Sequence, residues 1–189
     1  MTTTGTRAER RVATMTRIVD EAWELSRERG LAGWTLRDLG SQVGMRAPSL
    51  YVYVDSKFAL YDALYADGYR ALLDVVAGVP RDQAPLEALR DGAHRFVEFC
   101  VANPPRCQLL FLRTIPGFQP SDASYELAGQ ALGELAEVMA EAGFDDPREL
   151  DLWTAVLTGL ATQQTSNDPG GDRWTRLVDT AVDRFLVRP

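Results

Sequence analysis

Apolar residues recur at three- and four-residue steps along nearly the whole chain, the period of α-helices that each bury one face. Met15, Ile18, Ala22 and Leu25 mark the first such face, and Gly30 follows as a residue able to take the left-handed conformation that ends a helix. Thr35 predicts the start of a second helix. Its hydroxyl can cap free N–H groups, Asp38 stands at the third helical position, and Trp34 and Leu39 have the spacing of a hydrophobic staple. Leu36, Leu39 and Val43 face inward and Gly44 closes that helix. A short third helix is expected to begin near Pro48, with Ala47 at or before its cap because proline disfavours helical geometry in the residue ahead of it.

A fourth helix is predicted from about Ser56 through Leu60, Leu64 and Leu72 to Ala77, broken by Gly78-Val79-Pro80. Further helices fit Pro85–Val101, Pro105–Leu112 and Ser121–Ala142, separated by proline-bearing breaks. Asp146-Pro147-Arg148-Glu149 supplies a cap, a proline at the first helical position and a reciprocal glutamate. The helix it starts is expected over Pro147–Gln163 and the last one over Asp172–Val187. No segment reads as a strand, so the predicted fold class is all-α.

Helix two, the turn at Gly44-Met45-Arg46 and helix three form a helix-turn-helix pattern. The glycine permits the sharp turn, and Leu39, Val43 and Leu50 pack the two helices together. Small residues at the start of helix three permit close approach to base edges, and phenolic and ammonium groups suit phosphates. The run Gly44 to Lys57, containing Leu50-Tyr51-Val52-Tyr53-Val54, with Thr35-Leu36-Arg37-Asp38-Leu39 ahead of it, resembles the tetracycline-repressor (TetR) family over about residues 10–70. The resemblance implies phosphate contacts from Thr35 and Arg37 near the start of helix two. It implies base contacts from Arg46, Ala47, Pro48 and Ser49, and backbone contacts from Tyr51, Tyr53 and Lys57. Arg46 stands where Ser or Thr commonly helps to cap helix three.

It also implies a division into a helix-turn-helix DNA-binding domain, residues 1–57, and a helical ligand-binding and dimerisation domain, residues 58–189. The last two long helices would pair with their mates in a homodimer, through Trp153, Ala155, Val156, Gly159, Leu160, Val178, Val182 and Phe185. Two-fold symmetry then predicts a palindromic operator on double-stranded DNA. The middle helices would surround a largely apolar small-molecule effector, with His94, Phe96, Phe99, Cys100, Phe111, Met139, Trp153 and Leu157 as candidates for the lining. A ligand that favours one dimer state would release the operator by shifting the population. The expected function is a ligand-responsive transcriptional regulator, most simply a repressor.

Charge sharpens the picture. The net charge is -7, yet residues 1–57 hold nine Lys and Arg against seven Asp and Glu, and the remaining residues eleven against twenty. The front of the chain is therefore the basic part, the end a phosphate backbone would meet. Lys57 is the one lysine; the other cations are arginines.

Other classes fit poorly. A single histidine, His94, would have to serve any triad or metal site, and no phosphate loop or cofactor box is present, so neither an enzyme nor a cofactor is expected. Cys100 and Cys107 fall on different predicted helices without a partnering His cluster and are expected as two buried thiols rather than a metal or redox pair. A helical interaction protein without DNA binding would leave Tyr51, Tyr53 and Lys57 unused. The N-terminus lacks an apolar secretion segment and no apolar run is long enough to span a membrane, so the expected location is cytoplasmic.

Overall fold

The computed structural model describes residues 6–80 and 82–186, the side chain of Ala47 excepted. Within these residues the chain forms nine α-helices and no strand: α1 (Arg7–Arg29), α2 (Leu36–Gln42), α3 (Ala47–Tyr51), α4 (Lys57–Ala77), α5 (Pro85–Ala102), α6 (Pro104–Phe111), α7 (Asp122–Glu141), α8 (Pro147–Asn167) and α9 (Val178–Leu186).

Local chemistry explains the helix ends. α1 opens with a capping box in which Thr6 and Glu9 satisfy each other's backbone N–H groups, and it closes at Gly30, whose φ of 73° is open to glycine without strain. α2 opens with the Thr35–Asp38 box and α8 with the Asp146–Glu149 box, both as the sequence pattern predicts. α3 begins one residue earlier than expected. Ala47 is its first helical residue, Arg46 caps it without a side-chain hydrogen bond, and Pro48 sits in the first turn, where its missing N–H costs nothing. Gly44 takes φ 65° in the turn between α2 and α3, and Met45 N–H donates to the Gly40 carbonyl there at 2.7 Å.

The front three helices pack around Trp34. Its indole is buried and donates to Ser26 Oγ at 3.0 Å, and the Ser26 hydroxyl in turn donates to the Ala22 carbonyl at 2.7 Å. Two polar groups are thereby buried without an unmet bond. Leu39 and Leu50 are fully buried, as the helix-turn-helix pattern requires. Tyr61 of α4 donates to the Leu31 carbonyl at 2.6 Å, fixing α4 to the front helices. From there one buried apolar cluster runs from Ile18 and Trp34 through Leu60, Leu64 and Leu72 to Leu89, Val97, Trp153 and Val182.

The end of the chain differs from the sequence expectation. α8 extends to Asn167, and α9 begins only at Val178 after a single 3-10 turn over Thr175–Leu177; Val187 lies outside the described residues. The cause is Gln164, which is fully buried. Its carbonyl accepts from the N–H groups of Trp174 (2.8 Å) and Thr175 (3.3 Å), and its amide donates to the carbonyls of Gly171 (3.0 Å) and Asp168. Residues 168–175 are folded back onto α8 by this one side chain and cannot join the helix. Among the described residues no helix is long and apolar enough to cross a membrane.

Candidate DNA-reading head and ligand cavity

The helix-turn-helix leaves most of its candidate residues exposed. Arg46, Pro48, Ser49 and Tyr51 are exposed, Tyr51 with half its surface free, while Leu50 between them is buried. Thr35, Arg37, Tyr51 and Lys57 border one surface depression together with Leu36 and Trp34. Spacing alone could not have shown that these four converge.

Two of the candidates are already engaged. The Thr35 hydroxyl donates to Asp38 Oδ2 at 2.6 Å and accepts from the Asp38 N–H at 3.2 Å. The Thr35 hydroxyl, together with its backbone N–H at 2.7 Å from Asp38 Oδ2, holds the Asp38 carboxyl below the usual carboxylate range. Lys57 donates its ammonium to the Trp34 carbonyl and lies 4.4 Å above the Trp34 ring, a cation–π contact. Burial lowers its pKa, and the nearby Asp38 charge opposes that shift. Lys57 is therefore a structural clasp between α4 and the start of α2, with its charge still beside the depression.

Sequence reasoning missed two arginines of α1. Arg11 lies over the Tyr53 ring at 5.2 Å and donates to the Val52 carbonyl at 3.2 Å. Arg17 donates to the Val43 carbonyl at 2.6 Å. Both bring positive charge to the ends of α2 and α3, where free carbonyls attract it. The signal was the cluster Arg7, Arg10, Arg11 and Arg17 on α1, which reads in sequence only as a solvated face.

A cavity of about 980 Å³ lies among α4, α5, α6, α7 and α8. Of the candidate lining residues, Phe96, Phe111, Trp153 and Leu157 border it. The other four do not. His94 lies two residues from both Gly92 and Phe96, which do line the cavity, and so points to the opposite side of α5. There its Nε2 meets Asp179 of α9 at 2.9 Å, beside Arg90, which bonds Asp179 (2.9 Å) and Asp183. Phe99 is buried under the Arg106 guanidinium at 5.1 Å. Cys100 and Cys107 are buried free thiols that interact with each other across α5 and α6, and that contact pushes the Cys100 thiol up. Met139 is buried in the core off the cavity wall.

The expected dimer residues also divide. Trp153, Val178 and Val182 are buried in their own subunit, and Phe185 packs on Trp153 (5.0 Å) and Phe144 (5.3 Å). The apolar stripe of α9 packs on α5 and α8, which leaves Trp153, Val178 and Val182 without free surface, while Phe185 stays half-buried. Ala155 and Gly159 are exposed on α8, with Val156 and Leu160 half-buried beside them. Leu152 and Leu177, which the sequence reading omitted, are exposed on the same region of α8 and just before α9.

A helix-turn-helix head is thus joined through α4 to a helical domain enclosing a cavity. Residues 18–64 match the family described as bacterial regulatory proteins, tetR family. That stretch runs from α1 through the helix-turn-helix into α4. The chain is 28% identical to an HTH-type transcriptional regulator of Mycobacterium tuberculosis over 141 residues, 72% of this chain and 60% of that protein, so the match spans less than two thirds of the relative. Crystal structures share the fold. That of a proposed regulatory protein, SCO4313, has a TM-score of 0.78 at 22% identity, covering 96% of this chain and 99% of the other. That of the transcriptional regulator FadR from Bacillus subtilis, in complex with stearoyl-CoA, has a TM-score of 0.68 at 13% identity, covering 90% and 97%.

Proposed function

We propose that the chain is a ligand-responsive transcriptional repressor that binds a palindromic operator as a homodimer and leaves it when a small molecule fills the cavity. The observation that carries this reading is the double use of α4. Its first turn holds Lys57 in the reading head, and further along Tyr65, Tyr69, Leu72 and Val75 form part of the cavity wall. A ligand that moves α4 therefore moves the reading head, and differential affinity of typically about 1–3 kcal/mol suffices to bias such a pair of states.

In this reading residues 1–57 are the DNA-binding domain and residues 58–189 the effector and dimer domain. Arg46, Ala47, Pro48 and Ser49 read bases, while Arg37, Tyr51, Tyr53 and Lys57 hold phosphates. The outward residues Leu152, Ala155, Val156, Gly159 and Leu160 form the dimer seam. The effector is a small, mainly apolar molecule, as the stearoyl-CoA bound by the Bacillus subtilis structural relative also is in its acyl part.

Selection of bound DNA from a random pool tests the reading. The expected winner is a palindrome with half-sites about 34–36 Å apart, or a multiple of that, lost on Arg46→Ala/Tyr51→Ala substitution. No enriched sequence, or equal binding by the double variant, overturns the reading head.

A further inference from the structure

The cavity wall is mostly apolar, with Leu72, Val76, Phe96, Phe111, Trp153 and Leu157 among its residues. One part of it is not. Tyr65 and Tyr69 of α4 are 6% and 8% exposed, their rings lie 4.8 Å apart, and both border the cavity. Their hydroxyls interact with each other, and beyond that contact neither has a hydrogen-bond partner among the described residues. Burial raises both phenols, so they stay protonated as donors. Tyr125 of α7 and Arg113 of the α6–α7 connection stand close enough to act on Tyr65 electrostatically, and both also border the cavity.

Arg113 carries the argument further. It is the one non-glycine residue at positive φ (45°) among the described residues, and it directly follows the Leu112 cap of α6, where glycine is the ordinary choice. An arginine there adds strain that a glycine would avoid. Its guanidinium has no ion-pair partner among the described residues. Asp62, the acid that acts electrostatically on Tyr65, is occupied by the backbone N–H (2.7 Å) and the hydroxyl (2.9 Å) of Ser121. The other guanidinium of the wall, Arg95, is neutralised by Asp91 at 2.8 Å. A cation without an ion-pair partner, beside two phenols bonded only to each other and next to an apolar chamber, has the chemistry of a carboxylate receptor.

We propose that the cavity binds an apolar monocarboxylic acid, its carboxylate held by Arg113 and the hydroxyls of Tyr65 and Tyr69, its body lying among Leu72, Phe96 and Trp153. This assignment rests on the cavity being the effector site. Asp122, Glu134 and Glu141 also border the cavity, so a ligand carrying a cation is the opposite outcome of the test.

The test uses the full chain and its tryptophan fluorescence, to which Trp153 of the cavity wall contributes, titrated with dodecanoate, dodecan-1-ol and dodecyltrimethylammonium below their micelle concentrations. Dodecanoate is expected to bind about tenfold or more tightly than the alcohol, and the ammonium weakest, as loss of a charge-assisted bond requires. Arg113→Gln should abolish the preference for acid over alcohol. Arg113→Gly should do the same while raising the melting temperature, because it relieves the strained φ. Equal binding of acid and alcohol overturns the carboxylate assignment and leaves the cavity as a ligand site, as does an acid preference that survives Arg113→Gln. Tightest binding of the ammonium overturns it in favour of the acidic residues. Failure of all three probes overturns the assignment and the effector cavity together, leaving operator binding to be judged by DNA selection alone.

Discussion

The indole N–H of Trp23 donates to Asp67 at 2.7 Å, tying α1 of the reading head to the middle of α4. Arg106 of α6 completes the node. Its guanidinium lies 5.5 Å from the Trp23 ring, and the Asp67 charge offsets part of the burial that lowers its pKa. Three helices, one of which lines the cavity along much of its length, meet at a single indole. Trp23→Phe keeps most of the apolar volume and removes the donor. It is expected to cost about 1–3 kcal/mol, because a half-buried carboxylate loses its hydrogen bond. For a chain of this size that is a melting shift of about 2–4 °C per kcal/mol. A double-mutant cycle of Trp23→Phe with Asp67→Ala should return a coupling clearly above zero; additive effects would show that the bond contributes nothing.

The reading head should separate binding from folding. Arg46 is exposed and caps α3 without a side-chain hydrogen bond. Arg46→Ala should therefore leave the unfolding free energy within about 1 kcal/mol of wild type while lowering operator affinity, and the slope of log affinity against log salt should flatten if the lost contact is to a phosphate. Lys57→Met should behave differently. It removes the bond to the Trp34 carbonyl and the cation–π contact, so stability and operator affinity should fall together. Loss of affinity without loss of stability would show that the clasp is dispensable.

Much of this was legible in the sequence, and the failures have a common cause. The capping boxes at Thr35 and Asp146, the glycine at 44 and the staple of Trp34 with Leu39 are local rules, each satisfied within one or two turns. The helix-turn-helix follows from such rules. What failed depended on which neighbour a helix face meets. His94 was set by the side of α5 that faces Asp179, and Val178 and Val182 by the docking of α9 on its own subunit. Gln164 was invisible because its partners lie up to eleven residues away in a loop whose path it creates. Arg113 left no periodic trace, since a positive φ after a helix is ordinarily written as glycine.

Acid should weaken the start of α8. Asp146 accepts from the backbone and side chain of Arg148, and these bonds lower its pKa to about 2. Its folded value lies below its unfolded one, so the stabilisation is present above the ordinary carboxylate range and lost as pH falls towards about 2. The stability gap between wild type and Asp146→Asn, measured by urea unfolding, should be present near pH 6 and close in acid. A gap that stays constant over that range would show that the carboxylate charge plays no part in the cap.

Gly159 offers the sharpest test of the dimer seam. It sits in the middle of α8, exposed, and a Cβ added there would meet nothing within 4 Å in its own subunit. In a lone chain glycine at such a position is a liability, since alanine would favour the helix by about 1 kcal/mol. Leu152 and Ala155 are exposed on the same face of α8, with Val156 half-buried beside them, and among the described residues nothing covers this apolar patch. A second copy would resolve both facts, because two helices crossing at small residues approach more closely than side chains otherwise allow. Gly159→Leu is then expected to convert the dimer to monomer in sedimentation while leaving the helical circular dichroism unchanged. Operator affinity should drop steeply with it, because two half-sites are no longer held at fixed spacing. A variant that remains dimeric and binds normally would move the seam away from α8. A wild-type chain that sediments as a monomer at working concentration would remove the seam altogether.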